Sequence, residues 1–230
     1  MVDLPHRPRS RNGAGLPAIT VEQIVDSAVR LTAERGLENW TLRQLAAEIG
    51  ASPAVVYHHV GDREAVVALV LERVILEVET PPETLPWREW FSTMLDNHRR
   101  VLRSYPGTAY RLAMYGPPVE AAAVTIDLGV RLLQEAGFGA ESVLAYNVLM
   151  STACQYIAMQ DNPGRGRSNS PFYLPYRERE DLPGMAAVGH LVARLSSSPE
   201  ALAGFHDEVF RYATERCLDG LERRLAELAG

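Results

Sequence analysis

Residues 41 to 63 hold the side chains best suited to grip something outside the chain: Arg43, Ser52, Tyr57, His58, His59 and Arg63. A phenol, two imidazoles and two guanidiniums can donate hydrogen bonds to an anionic or acceptor-rich partner. Their spacing does not suggest catalysis. His58 and His59 are sequence neighbours, so on a helix they diverge by about 100° and cannot easily chelate one ion. The chain has no glycine-rich phosphate loop, no His-x-x-x-His pair and no nucleophile motif. Cys154 and Cys217 lack metal-ligand spacing and read as reduced, small hydrophobes. The chemistry on offer is binding, and no enzymatic activity is expected. Tyr57 also suits a half-buried packing site and Arg43 a solvated helix face, so the plainer reading of each stays open.

Helices must position these groups. Thr41 with Gln44 has the spacing of a capping box, and Leu42, Leu45, Ala46 and Ile49 make one apolar face behind it. Gly50 can take the left-handed conformation that ends a helix. Ser52 then sits at an N-cap with Pro53 at the first helical position. This predicts a short helix, a tight turn and a second short helix, an arrangement that can lay the second helix in a DNA major groove. Upstream, Thr20 caps a helix through Arg35, with Ile24, Val25, Ala28, Leu31 and Thr32 in register and Gly36 as its stop. Downstream, a helix over 62–79 carries Val67, Leu71, Val74 and Val78 towards Pro81 and Pro82.

On these residues the segment 18–70 resembles the DNA-binding domain of the TetR family of transcriptional repressors. The matching pattern is Leu42-Arg43-Gln44-Leu45-Ala46, Gly50-Ala51-Ser52, Val56-Tyr57-His58-His59-Val60, Arg63 and Ala65. Val60 stands where many members have phenylalanine, and Arg63 where lysine is usual; arginine keeps the charge. The resemblance implies that Arg43, Ser52, Pro53, Ala54 and Val55 approach base edges. It implies that Tyr57, His58, His59 and Arg63 mostly hold phosphates, which position the domain while base contacts specify sequence. Ala54 and Val55 offer methyl contacts without hydrogen bonds, so shape readout is expected to contribute.

Composition limits the alternatives. The net charge of −6 is not that of a bulk nucleic-acid coat. Residues 1–63 hold seven arginines against seven acidic residues and are neutral, which places the acidity in the rest. Every one of the 23 basic residues is arginine. Residues 1–17, with His6, Arg7, Arg9 and Arg11 among Pro, Ser and Gly, read as a disordered basic arm that can enter a minor groove or simply hang loose. There is neither a membrane-spanning apolar run nor a signal-peptide core, so a cytoplasmic location is expected.

Past residue 85 the pattern is helical throughout, giving an all-α chain. A three-helix DNA-binding domain (18–63) would precede a helical effector-binding and dimerisation domain (64–230), broken by a loop at 161–183. The mixed-charge run Arg177 to Asp181 in that loop reads as a solvated face. Trp87, Arg99-Arg100-Val101-Leu102 and Leu132 to Phe138 resemble the tetracycline-repressor branch of the same family. The resemblance implies a homodimer built from helices over 140–160 and 199–228, with Leu202, Phe205, Val209, Cys217, Leu221 and Leu225 as a seam. Two copies would read a pseudo-palindromic operator.

It also implies a pocket between helices. Met94, His98, Tyr110, Met114, Tyr146, Met150, Cys154 and Gln155 are its candidate lining, although such residues at helical spacing also make ordinary core. His98 stands out, because an inward histidine needs a hydrogen-bond partner. Tetracycline repressors use a histidine in the short helix matching 109–115 to hold a magnesium-chelated drug, and this chain has none there. The expected effector is therefore a small apolar or aromatic molecule, with no metal or cofactor. The expected function is a ligand-responsive repressor released from DNA by that effector. A DNA-binding regulator without a small effector is the alternative, and an all-helical carrier or enzyme a remoter one.

Overall fold

The computed structural model describes residues 18–161 and 170–230; the expected basic arm and positions 162–169 of the expected loop lie outside them. Among the described residues there are helices and turns but no strand. The chain divides into two compact units, Met1–Val70 and Leu71–Gly230.

The first unit holds α1 (Val21–Arg35), a single turn at Leu37–Asn39, α2 (Leu42–Glu48), α3 (Pro53–His59) and the first half of α4 (Arg63–Leu76). Local chemistry sets its boundaries. Thr20 and Gln23 cap α1 reciprocally, at 3.2 Å in each direction. Thr41 and Gln44 do the same for α2, at 2.8 and 3.3 Å. Gly36 closes α1 at φ 85°, donating to the Thr32 carbonyl at 2.8 Å. Gly50, at φ 62°, turns the chain so that Ala51 N–H reaches back to the Ala46 carbonyl at 2.8 Å. Behind these turns Ile24, Leu31, Leu37, Leu45, Val56 and Val66 are buried, each contributing about 1.5–3 kcal/mol. Trp40 closes the base, its indole N–H on the Thr32 hydroxyl at 3.0 Å. The unit runs to Val70 instead of ending at 63, because Val66, Val67 and Val70 of α4 are buried.

In the second unit α8 (Ser142–Gln160) is central, packed by α5 (Trp87–Leu102), α6 (Thr108–Tyr115), α7 (Val119–Leu133) and the long closing helix α11 (Pro199–Leu228). The inward face of α5 is Trp90, Phe91, Met94, Leu95, His98, Val101 and Leu102, all buried. Arg99 ties α5 to α11 through Asp207 and stacks over the Phe210 ring at 4.6 Å. A wide turn at Gln134–Phe138 leads into α8, with Gly137 at φ 112°.

The expected loop at 161–183 is not structureless. Residues Ser170–Tyr173 form a helical turn, α9, continued by a second turn at Leu174–Glu178, and α10 (Pro183–Leu195) packs against both. Gly189 of α10 makes this possible: a Cβ there would stand 2.7 Å from the Arg177 backbone nitrogen. The proline-rich composition hid a backbone-to-helix contact that needs a glycine on the other side. The linking helix expected over 62–79 ends at Leu76, with Glu77 and Val78 in a tighter turn.

Candidate functional site

In the first unit, α3 buries only Val56 fully and presents the rest of its surface outward. Ser52, Ala54, His58 and His59 are exposed, and Pro53 and Val55 are half-buried. Tyr57 is 55% exposed, which rules out the packing role for its ring. Pro53 starts α3 as expected, but the Ser52 hydroxyl makes no cap bond and is left for a partner. Arg43 on α2 is exposed and shares a shallow hollow with Thr41, Pro53, Tyr57 and Arg63. His58 and His59 meet edge to face at 5.5 Å, and among the described residues no three metal-ligating side chains cluster.

Arg63 departs from its expected place. Its guanidinium donates to the Leu37 carbonyl at 2.7 Å, pairs with Glu38 at 3.2 Å and lies 5.0 Å over the Trp40 ring. It fastens the start of α4 to the turn before α2, and phosphate would have to compete with those partners. The other residues of the set share the outward surface of α2 and α3.

The second unit contains a cavity of about 430 Å³. α5 supplies Met94 and His98; α8 supplies Val143, Tyr146, Asn147, Met150, Ser151 and Cys154. Five of the eight expected lining residues are therefore brought together: Met94, His98, Tyr146, Met150 and Cys154. The other three are not. Tyr110 and Met114 are 52% and 60% exposed, because α6 turns Leu112 and Ala113 inward and each residue step rotates the helix face by about 100°. Gln155 is exposed for the same reason, one step beyond Cys154.

A further wall went unread in the sequence: Ala122, Thr125, Ile126 and Val130 of α7, with Ile75 of α4 and Val78 just past its end. The signal available was the run of small and β-branched residues at helical spacing in α7, which looks the same as ordinary core.

No charged side chain lines the cavity. Burial pulls the His98 imidazole below its usual pKa, against the opposing effect of the Met94 carbonyl, 2.9 Å from Nδ1. Burial pushes the Tyr146 phenol and the Cys154 thiol each up to about 12. All three are neutral at neutral pH, and Cys154 is a poor nucleophile. Gly129 of α7 lets the Tyr146 ring, which lines the cavity, and the Trp90 ring behind it pack close, since a Cβ there would stand 2.8 Å from one and 3.2 Å from the other.

Apolar side chains also remain uncovered. Leu144, Val148 and Met159 are exposed along α8. The expected seam residues of α11 are half-buried within the single chain, with Cys217 3.7 Å from the Thr152 hydroxyl and Leu225 against Gly137. No helix among the described residues is long and apolar enough to cross a membrane.

Known proteins match both units. Residues 24–70 fit the family model described as bacterial regulatory proteins, tetR family. An HTH-type transcriptional regulator from Saccharopolyspora erythraea is 31% identical over 136 residues, 59% of this chain and 58% of its own length. The class E tetracycline repressor protein of Escherichia coli is 24% identical over 129 residues, 55% of this chain and 61% of its own. The chain thus matches less than two thirds of the length of these relatives. Among solved structures, the TetR family protein ActR of Streptomyces coelicolor in complex with actinorhodin superposes with a TM-score of 0.72 at 25% identity, covering 91% of this chain and 99% of its own. Residues 24–70, with their capped helix-turn-helix, are thus a domain of the tetR family of bacterial regulatory proteins, and the helical chain behind them is similar in fold to ActR.

Proposed function

We propose that the protein is a ligand-responsive transcriptional repressor that binds a pseudo-palindromic operator as a homodimer and leaves it when a small organic molecule fills the cavity. The observation carrying this reading is an uncharged cavity in a chain that also presents Arg43, Ser52, Ala54, Tyr57, His58 and His59 outward on a helix-turn-helix. α4 runs through both units: Arg63 fastens its start to the turn before α2, and Ile75 near its end lines the cavity. A ligand that repositions Ile75 acts on the same helix that Arg63 anchors.

The mechanism is a population shift, which requires the effector to bind the DNA-releasing state more tightly than the DNA-bound one. Coupling of this kind is typically about 1–3 kcal/mol, and about 2.7 kcal/mol weakens operator binding roughly a hundredfold. The exposed Leu144, Val148 and Met159 of α8 supply an apolar face for the second copy. Arg43 and α3 are assigned to base edges, and Tyr57, His58 and His59 to phosphates.

The test is fluorescence anisotropy with DNA from immediately upstream of the protein's own gene against a scrambled duplex, across a salt series. Specific binding that weakens steeply with salt and is lowered by Arg43→Ala is the expected result. Equal weak binding to both duplexes at every salt concentration would overturn operator recognition. Specific binding that no cavity ligand alters would leave a regulator without a small effector.

A further inference from the structure

Most polar groups on the cavity wall are already engaged. The Thr125 hydroxyl is 2.8 Å from that of Thr80, and the Ser151 hydroxyl donates to the Asn147 side chain at 3.4 Å. The Asn147 side-chain N–H groups, on an exposed residue at the rim, are left, and so are two groups deeper in. The Tyr146 hydroxyl and His98 Nε2 have no hydrogen-bond partner among the described residues.

The protonation pattern of His98 follows from its other nitrogen. Nδ1 lies 2.9 Å from the Met94 carbonyl, which can only accept, so Nδ1 carries the hydrogen. The side chain is 6% exposed, and burial favours the neutral ring. Nε2 is therefore a bare lone pair. Because Nδ1 is turned back on the backbone of α5, the opposite edge of the ring faces away from its own helix, into the cavity that His98 lines. An accessible acceptor on an otherwise apolar wall, with no protein donor, leaves a hydrogen bond that an occupant can supply.

We infer that the cavity is shaped for an uncharged, largely apolar organic molecule that donates a hydroxyl hydrogen to His98 Nε2. This rests on the proposed reading of the cavity as the effector site and specifies the chemistry of that effector. The occupant also carries an acceptor oxygen for the Tyr146 hydroxyl. An organic anion is excluded by the wall itself: no cationic side chain is present to balance it, and His98 offers it a lone pair. Methylating the hydroxyl removes the donor while leaving the apolar surface, which makes the contribution of His98 measurable.

Three probes with one ring system decide the matter: 2-naphthol, 2-methoxynaphthalene and 2-naphthoate, titrated into the full-length protein at pH 7 by calorimetry. The expected order is 2-naphthol about tenfold tighter than its methyl ether, with 2-naphthoate weakest, the size of one hydrogen bond to a buried acceptor. His98→Phe, which keeps the bulk and loses the acceptor, should equalise the first two. Tyr146→Phe should leave their ratio intact. The wild-type ranking decides the question even if the His98 variant fails to fold. Four results would overturn the inference: naphthoate binding as tightly as naphthol, a hydroxyl preference that survives in a folded His98→Phe, binding that appears only with added Mg²⁺, or no naphthol binding up to its solubility. Operator release, read by anisotropy on the same samples, reports separately on the effector reading. Naphthol that binds in the expected order without releasing DNA defeats that reading alone; carboxylates that release DNA defeat the donor chemistry alone.

Discussion

Replacing Gly129 by alanine tests the packing that shapes the cavity wall. A Cβ at this position would meet Tyr146 Cε2 at 2.8 Å, Tyr146 Cδ2 at 3.1 Å and Trp90 Cη2 at 3.2 Å. Trp90 cannot yield, because it is fully buried and its indole N–H is held by the Pro81 carbonyl at 3.0 Å. The Tyr146 ring must move by about half an ångström or more to restore van der Waals separation, and the open direction is the cavity. The cost of such overpacking is about 1–3 kcal/mol, while the alanine itself favours a helix by about 0.5–1 kcal/mol. Gly204→Ala on α11 isolates the second contribution, since nothing lies within 4 Å of a Cβ there. Urea denaturation should therefore show Gly204→Ala slightly stabilised, with Gly129→Ala lower by about 1–3 kcal/mol at equal m-value. 2-Naphthol affinity should fall in Gly129→Ala and hold in Gly204→Ala. Two variants of equal stability and equal affinity would refute the claim that Gly129 shapes this wall.

Three further expectations concern other parts of the chain. Gly189→Ala sets a Cβ against the Arg177 backbone and 3.0 Å from the Tyr173 carbonyl, so the 170–178 turns must lift from α10; limited trypsin digestion should cut faster at Arg177 and Arg179, and unchanged cleavage would contradict the packing. Asp161 accepts from Gly107 N–H at 2.8 Å, yet burial raises its pKa to about 6, against the lowering effects of that bond and of Arg103. The folded chain therefore holds a proton that the unfolded chain releases near pH 4, so this group's contribution to stability declines as pH rises from about 4 to 6 and is flat above. Asp161→Asn keeps an acceptor and should flatten that part of the Tm–pH profile relative to wild type; an unchanged difference across the window argues against the raised pKa. Arg63→Gln removes the tie to the Leu37 carbonyl and the stack on Trp40, and should destabilise the first unit by about 1–3 kcal/mol; intact stability with weakened DNA binding would return Arg63 to the phosphates.

Short-range chemistry was legible in the sequence. Both capping boxes, the Gly36 and Gly50 stops and the inward His98 follow from residues within four positions of one another, where geometry is nearly fixed by type. What escaped depended on distant backbone. Arg63 looks like a surface cation until the Leu37 carbonyl, 26 positions upstream, is found beside it. Tyr110, Met114 and Gln155 were assigned to the right helices but to the wrong side, since periodicity gives a face only to within a residue or so. The α7 wall and the 170–178 turns were hidden because Gly129 and Gly189 act through what approaches them, and a glycine carries no side-chain pattern.

The placement of the three tryptophans has an optical consequence. Trp40 sits in the first unit beneath the Arg63 guanidinium, whereas Trp90 is packed beside Gly129 in the second and Trp87 rests edge-on against Phe138. Each unit thus contains its own emitters, Trp40 under the Arg63 guanidinium and Trp90 against the Tyr146 ring across Gly129. Paired Trp→Phe replacements would split one emission spectrum into two local thermometers. A single titration could then record, without any attached label, whether filling one unit is felt in the other.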